Sequence, residues 1–126
     1  MPTTNVAGPA HGFVDVYMTS GAWVGRFATH GVLDSPWGMT IAPANFGQFS
    51  GDLLIGNFGD GRIHAFDPAT GEVLGLLRGN SGRPLQIDGL WGLMVGDAVS
   101  GGADAVWFSA GPDRESHGLV GVVRAD

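Results

Sequence analysis

The sequence contains no cysteine and no lysine. Without cysteine the chain has no disulfide, no thiolate ligand for zinc and no thiol nucleophile. The lack of cysteine fits an oxidising and a reducing compartment equally well. All six basic residues are arginines, scattered from Arg26 to Arg124, and twelve acidic residues bring the net charge to −6. A nucleic-acid partner is excluded on this basis, because a phosphate backbone requires clustered cations.

Long apolar runs are also missing. No stretch approaches the roughly 18 continuous apolar residues of a membrane-spanning helix, so the sequence predicts no membrane span. Residues 1–10 lack the basic start and apolar core of a signal peptide, and we interpret them as a flexible N-terminal lead-in. Residues 11–126 are enough for one domain.

Glycine is abundant, with 23 residues spread over turn positions. The segment from Asp52 to Phe66 shows the pattern most clearly. An apolar run, Leu53–Ile55, is followed by a turn rich in Asn, Gly and Asp, and then Ile63–Phe66 alternates apolar with small or polar residues. Short runs of this kind, broken by turn residues, are typical of paired antiparallel strands.

The sequence repeats itself with a period of about 50 residues. The turn at Gly21 recurs 50 positions later at Gly71, and the pair that begins with Trp37 recurs 54 positions later at Trp91. A third match, at an offset of 106, aligns the segment after His11 with the segment after His117. A unit of this length that holds four short strands is typical of a β-propeller blade.

We therefore predict an all-β fold, a partial β-propeller of about two and a quarter blades built from four-stranded antiparallel sheets. Residues 11–29 would end one blade, residues 35–78 would form a full blade, and residues 88–126 would form an incomplete last blade. A closed ring needs about four to eight blades, so we expect a fragment of a larger ring or a part that assembles with other chains. The alternative is a single β-sandwich with a chance repeat.

Two sets of residues carry a resemblance to known families. The segment 53–71, with Arg62-Ile63 and Phe66-Asp67-Pro68, resembles the blade motif of NHL-type repeats. The segments around the two Trp-Gly pairs, with Ala110–Asp113, resemble the C-terminal portion of a bacterial family of uncharacterised, usually exported propeller proteins. This resemblance implies an NHL-like propeller and an exported protein. It implies no activity, because that family has no settled one.

The resemblance also implies that two kinds of loop share one face of the propeller, around its central channel. The candidate ligand-binding side chains on that face are Asn57, Asp60, Asp88, Asp113, Glu115 and His117. Their oxygen atoms would suit Ca²⁺, which takes about six to eight such ligands, and His117 beside a carboxylate would suit acid–base chemistry. The other interpretation is that Asn57, Asp60 and Asp113 only form turns. No residue is assigned as catalytic, and no metal-ligand set is assigned.

Two functions remain open from the sequence. The first is a binding or scaffold module, whose partner is a second copy, completing blades from other chains, or a small molecule. The second is a lactonase-like or lyase-like metal-dependent hydrolase that is active only when the ring is completed.

Among the tryptophans, Trp23 and Trp107 are predicted to lie in the core, whereas Trp37 and Trp91 are predicted to pack between blades or to stack on a sugar.

Overall fold

Nine strands form three antiparallel sheets in residues 7–97, 99 and 102–125, which the computed structural model describes. In chain order the strands are β1 (Phe13–Tyr17), β2 (Trp23–Thr29), β3 (Pro36–Ile41), β4 (Leu53–Asn57), β5 (Ile63–Phe66), β6 (Val73–Leu76), β7 (Leu90–Val95), β8 (Ala105–Ala110) and β9 (Leu119–Arg124). The first sheet pairs β1 with β2, the second has the order β3-β4-β5-β6, and the third has the order β7-β8-β9. The all-β fold is thus confirmed, while the number of blades stays a prediction.

The second sheet is central, because its inner strands β4 and β5 are covered on both faces. Side chains alternate between the two faces of a strand. Leu54 lies opposite Ala65 in the β4–β5 register and faces the third sheet, whereas Ile55 lies opposite His64 and faces the first sheet. A two-sheet sandwich buries only one face of each sheet, so this arrangement differs from that alternative.

The larger of two apolar clusters joins the second and third sheets. Its buried members are Ala42, Phe46, Leu54, Ile63, Ala65, Leu77, Leu90 and Val106. The two sheets approach most closely at Gly38 on β3. A Cβ atom at Gly38 would lie 2.8 Å from the backbone nitrogen of Leu93 and would also meet the carbonyl oxygen of Trp91. The glycine after Trp37 is therefore required by the contact between sheets.

The smaller cluster joins the first and second sheets. Leu33, Ile55 and Phe66 are its buried members. Phe27 of β2 packs on Phe66 with the ring centroids 6.2 Å apart and the planes tilted by 51°, a geometry that aromatic pairs favour. The two-stranded first sheet is therefore held mainly through the second sheet, since an isolated pair of strands is marginally stable in water.

Two short helical turns interrupt the strands, at Gly47–Phe49 and Pro112–Glu115. The second turn contains left-handed backbone, because Asp113, Arg114 and Glu115 have φ values of 55°, 56° and 66°. No helix among the described residues is long and apolar enough to cross a membrane. Of the predicted lead-in, residues 1–6 lie outside the described residues.

Candidate functional site

Asn57, the last residue of β4, is buried and links that strand to the loop after β2. Only 1% of this residue is exposed, and its Nδ2 donates a hydrogen bond to the carbonyl oxygen of Val32 at 2.8 Å. Its Oδ1 is enclosed and has no hydrogen-bond partner among the described residues. The side chain thus points between the first and second sheets, where it holds the fold together.

Asp60 forms the turn that its residue type favours. Its Oδ1 accepts a hydrogen bond from the backbone nitrogen of Arg62 at 2.9 Å, two residues further on. The next residue, Gly61, has a φ of 71°, and its carbonyl oxygen accepts a hydrogen bond from the nitrogen of Ile87 at 2.8 Å. The Asp60 turn therefore touches the loop that leads into the third sheet.

Asp88 and Asp113 are brought together. Oδ2 of Asp88 accepts a hydrogen bond from the backbone nitrogen of Asp113 at 2.9 Å. Close by, the nitrogen of Gly111 donates to the carbonyl oxygen of Gly89 at 2.9 Å, so two hydrogen bonds join the loop to the left-handed turn. Both carboxylates are exposed. The contact organises a surface turn.

Glu115 and His117 are exposed at the end of the same turn. No hydrogen bond or ion pair of the His117 side chain is formed within the described residues, so the structure supplies no acid–base partner for it. Nor do the His, Asp and Glu side chains of that part of the chain form any group of three or more that could hold a metal ion. The expected calcium site has no ligand cluster there.

A polar cleft lies where the first and second sheets meet, and three loops build it. The loops are residues 8–12, 30–35 and 57–62. The backbone nitrogen of Gly8 donates to Oδ1 of Asp34 at 2.8 Å, and the nitrogen of Gly59 donates to the Asp34 carbonyl oxygen at 2.9 Å. Ser35 donates from its nitrogen to the carbonyl oxygen of His11 at 2.8 Å. These bonds fix the loops relative to one another.

Strained backbone occurs in two of the loops that form this cleft. Ala10, His30 and Ser35 have φ values of 64°, 57° and 51°, in the left-handed region that non-glycine residues seldom adopt. The Nδ1 atom of His30 lies 3.1 Å from the Ala10 carbonyl oxygen, which links two of the strained residues. Such conformations persist only where neighbouring contacts enforce them, and they concentrate at functional sites.

Four polar side chains line the cleft, which has a volume of about 320 Å³. They are Asp34, Asp60, Arg62 and His64. Asp34 is only 7% exposed, whereas Arg62 is exposed at the surface. Residues 9–10 and 31–33 form the remaining walls. The cleft, which we call the His64 cleft, therefore combines two carboxylates, one guanidinium and one imidazole.

His64 is the buried group of the cleft. It is 8% exposed, and its Nδ1 atom is enclosed with no hydrogen-bond partner among the described residues. Burial lowers the pKa of His64 below its ordinary value of 6.5; Asp60 opposes this shift and Arg62 adds to it. The imidazole is therefore neutral at pH 7. The sequence signal was the alternation of His64 and Phe66 on one face of β5, directly after Arg62.

A second functional feature is exposed apolar surface at the sheet faces. Trp23 is 60% exposed on β2, so the prediction that it lies in the core is wrong. Trp37 on β3 is 57% exposed beside Met39 and Ile41, while Trp107 is half-buried. On the third sheet, the face turned away from the centre forms an apolar groove of about 300 Å³ that includes Trp107. These faces lack a covering layer within the described residues.

Comparison with known proteins places the chain among viral relatives. It is 41% identical over 118 residues to Uncharacterized protein L690 of Acanthamoeba polyphaga mimivirus, an alignment that covers 94% of this chain and 30% of that protein. It is 36% identical over 126 residues to Uncharacterized protein R648 of the same virus, covering 100% of this chain and 30% of that protein. The chain therefore spans less than a third of the length of these curated relatives.

The resemblance to a bacterial family is wrong, because the relatives found are proteins of a virus. No family model matches the chain, whether of NHL-type repeats or of any other kind, and no solved structure matches it. The expectation of export rested on the same resemblance and has no other support. The chain is similar to uncharacterised mimivirus proteins, each of which is more than three times as long as the shared segment.

Proposed function

We propose that the three sheets are parts of three successive propeller blades, and that the chain is a binding or scaffold module completed by strands from another polypeptide segment. The observation that carries this proposal is the exposed apolar face of β3. Trp37, Met39 and Ile41 alternate along that strand and are 57%, 48% and 49% exposed. An apolar stripe of this kind marks an interaction surface.

The internal repeat indicates what would cover the stripe. By the 50-residue offset, β1 and β2 correspond to β5 and β6, whose sheet continues through β4 to β3. No strand among the described residues lies beside the outer edge of β1. A hairpin added at that edge would complete four strands, and its side chains would pack on Trp37, Met39 and Ile41. Addition of a strand to an open sheet edge is a common mode of recognition.

The third sheet offers a second edge of the same kind. Here β7, β8 and β9 correspond to β3, β4 and β5, and in the second sheet β5 is paired with β6. Within the described part of the chain, no strand pairs with the outer edge of β9. One further strand would complete this sheet. Both open edges thus favour assembly with other segments, since natural proteins seldom leave such edges uncovered.

Light scattering after size-exclusion chromatography tests this function. We expect the purified chain to associate with itself through these surfaces, with a mass that rises with concentration. The double variant Met39→Thr with Ile41→Thr should shift the mass towards the monomer. Val99→Thr, at a residue that is 93% exposed, is the matched control and should change nothing. A soluble wild-type chain that stays strictly monomeric at all concentrations would contradict the account of the β3 stripe and the open edges as association surfaces.

A further inference from the structure

We propose that the apolar groove on the outer face of the third sheet is the docking face for a fourth β-sheet of the same repeat. Gly92, Met94, Trp107 and Val120 are among the residues that line this groove, which we call the Trp107 groove. The proposal rests on the proposed function, and it adds a partner for a sheet face to the strands that would be added at the two open edges.

The Trp107 groove repeats the face of the second sheet on which the third sheet packs. In that face, Thr40 of β3 pairs with Leu54 of β4. Met94 lies 54 positions after Thr40, the offset of the two Trp-Gly pairs, and it pairs with Trp107 of β8. Trp107 points away from the second sheet, because its neighbour Val106 points towards it. The two sheets therefore present the same positions in the same order.

The two faces differ in what covers them. Leu54 and Ile63 are 0% exposed, since the third sheet packs on them. Val120, which takes the place of Ile63 in the register of β8 with β9, is 65% exposed, and Met94 is 63% exposed. None of the described residues that line the groove is charged. The groove is thus an apolar repeat of a buried face, and such a surface marks an interaction site.

Gly92 indicates that the partner approaches with its backbone. A Cβ at its counterpart Gly38 would lie 2.8 Å from the nitrogen of Leu93, so glycine is needed where β7 crosses the second sheet. A Cβ at Gly92 would meet only the rotatable Oγ of Ser109 at 3.1 Å, and the φ of Gly92 lies outside the left-handed region. Glycine inside a strand gives up packing, and it often marks the close approach of another backbone.

The chain itself carries a strand that fits the groove. Leu93 of β7 packs between the second and third sheets, and its counterpart Met39 on β3 is exposed beside Ile41. A free second copy would not dock unchanged, because the 106-residue offset puts its β1 in the place of β9. The partner is therefore a sheet like the second sheet that uses β9 instead of a β1 of its own, as a tandem extension of the repeat does.

A tandem chain tests this docking face. Residues 1–123 are followed directly by residues 18–126, so that β9 pairs with the second β2 and the second β3 can reach the groove. The second copy carries Met39→Leu and Met94→Leu, which cores tolerate and which assign each oxidised peptide to the first copy. Hydrogen peroxide oxidises exposed methionine, and mass spectrometry gives the rate at each site.

We expect oxidation of Met94 to be about tenfold slower in the tandem chain than in the single chain, the value for a groove that is covered about nine-tenths of the time. Met39 of the first copy lies at the opposite end and should keep its rate. In the first copy, Gly92→Ala adds a Cβ in the path of the partner backbone, and Val120→Asp would bury a charge. Each should return the Met94 rate to that of the single chain.

Matched controls make the same changes outside the groove. Gly25→Ala and Val99→Asp in the first copy should leave the protection of Met94 intact, since Gly25 has open space for a Cβ and Val99 is 93% exposed. An unchanged Met94 rate in the tandem chain would overturn the proposal. Protection that survives both Gly92→Ala and Val120→Asp, or that is lost equally with the controls, would do the same. Association of the single chain tests its open edges separately, so a single chain that associates beside a tandem chain with unprotected Met94 would remove the docking face alone.

Discussion

The substitution Gly38→Ala tests the closest contact between the second and third sheets. The added Cβ would lie 2.8 Å from the nitrogen of Leu93 and would also meet the carbonyl oxygen of Trp91. Both of those atoms belong to the backbone of β7, which cannot rotate away as a side chain can. The two sheets must separate to relieve the contact, and the apolar cluster between them then loosens.

Overpacking of this kind typically costs about 1–3 kcal/mol, and backbone contact favours the upper end of that range. We therefore expect Gly38→Ala to lower the free energy of unfolding by about 3 kcal/mol. At a chain length of this order, the loss corresponds to a fall in Tm of roughly 10 °C. Urea denaturation followed by tryptophan fluorescence measures the free energy directly, provided that the m value is unchanged.

Two other strand glycines provide the comparison. Gly92 is the repeat counterpart of Gly38, and a Cβ there would meet only the rotatable Oγ of Ser109 at 3.1 Å. Gly25 in β2 has no atom within 4 Å of such a Cβ. We expect Gly92→Ala to cost less than Gly38→Ala, and Gly25→Ala to be neutral or stabilising by a few tenths of a kcal/mol. Equal costs at Gly38 and Gly25 would refute the account of the sheet contact.

Three further predictions concern the polar residues. Because burial lowers the pKa of His64, the unfolded chain binds more protons than the folded chain near and below pH 6.5. The free energy of unfolding should therefore fall as the pH drops through that value. Urea denaturation at pH 7.5 and pH 5.5 measures this fall, which should be smaller in the variant His64→Leu. Asn57→Ala should cost about 2–3 kcal/mol, whereas exposed Asn80→Ala should cost almost nothing in the same assay. Asp88→Ala loses an exposed hydrogen bond and should cost less than about 1 kcal/mol by thermal unfolding.

The strands were predictable because their signal is local. Alternation within Ile63–Phe66 and the turn residues around it define β5 at the predicted bounds. Strand β2 runs to Thr29, which still pairs with Phe13. The left-handed turn at Pro112–Glu115 was not predicted, since three successive non-glycine residues with positive φ have no sequence signature.

Burial was harder to predict, because it depends on what covers a face. Trp23 lies on a strand with an apolar pattern, and the pattern does not distinguish a core face from a face that awaits a partner. Asn57 was interpreted as a turn residue or a ligand, but its role depends on Val32, 25 positions away. The same applies to His64, since the loop that follows β2 lines the cleft with it.

The open edge of β1 and the His64 cleft share one structural element, the first sheet. Its loops, residues 8–12 and 30–35, contribute to one wall of the cleft, yet the sheet has only two strands and several exposed apolar side chains. A two-stranded sheet is the least stable part of such an assembly. Strands added to β1 would therefore stabilise the first sheet, and with it the loops that form this wall of the cleft.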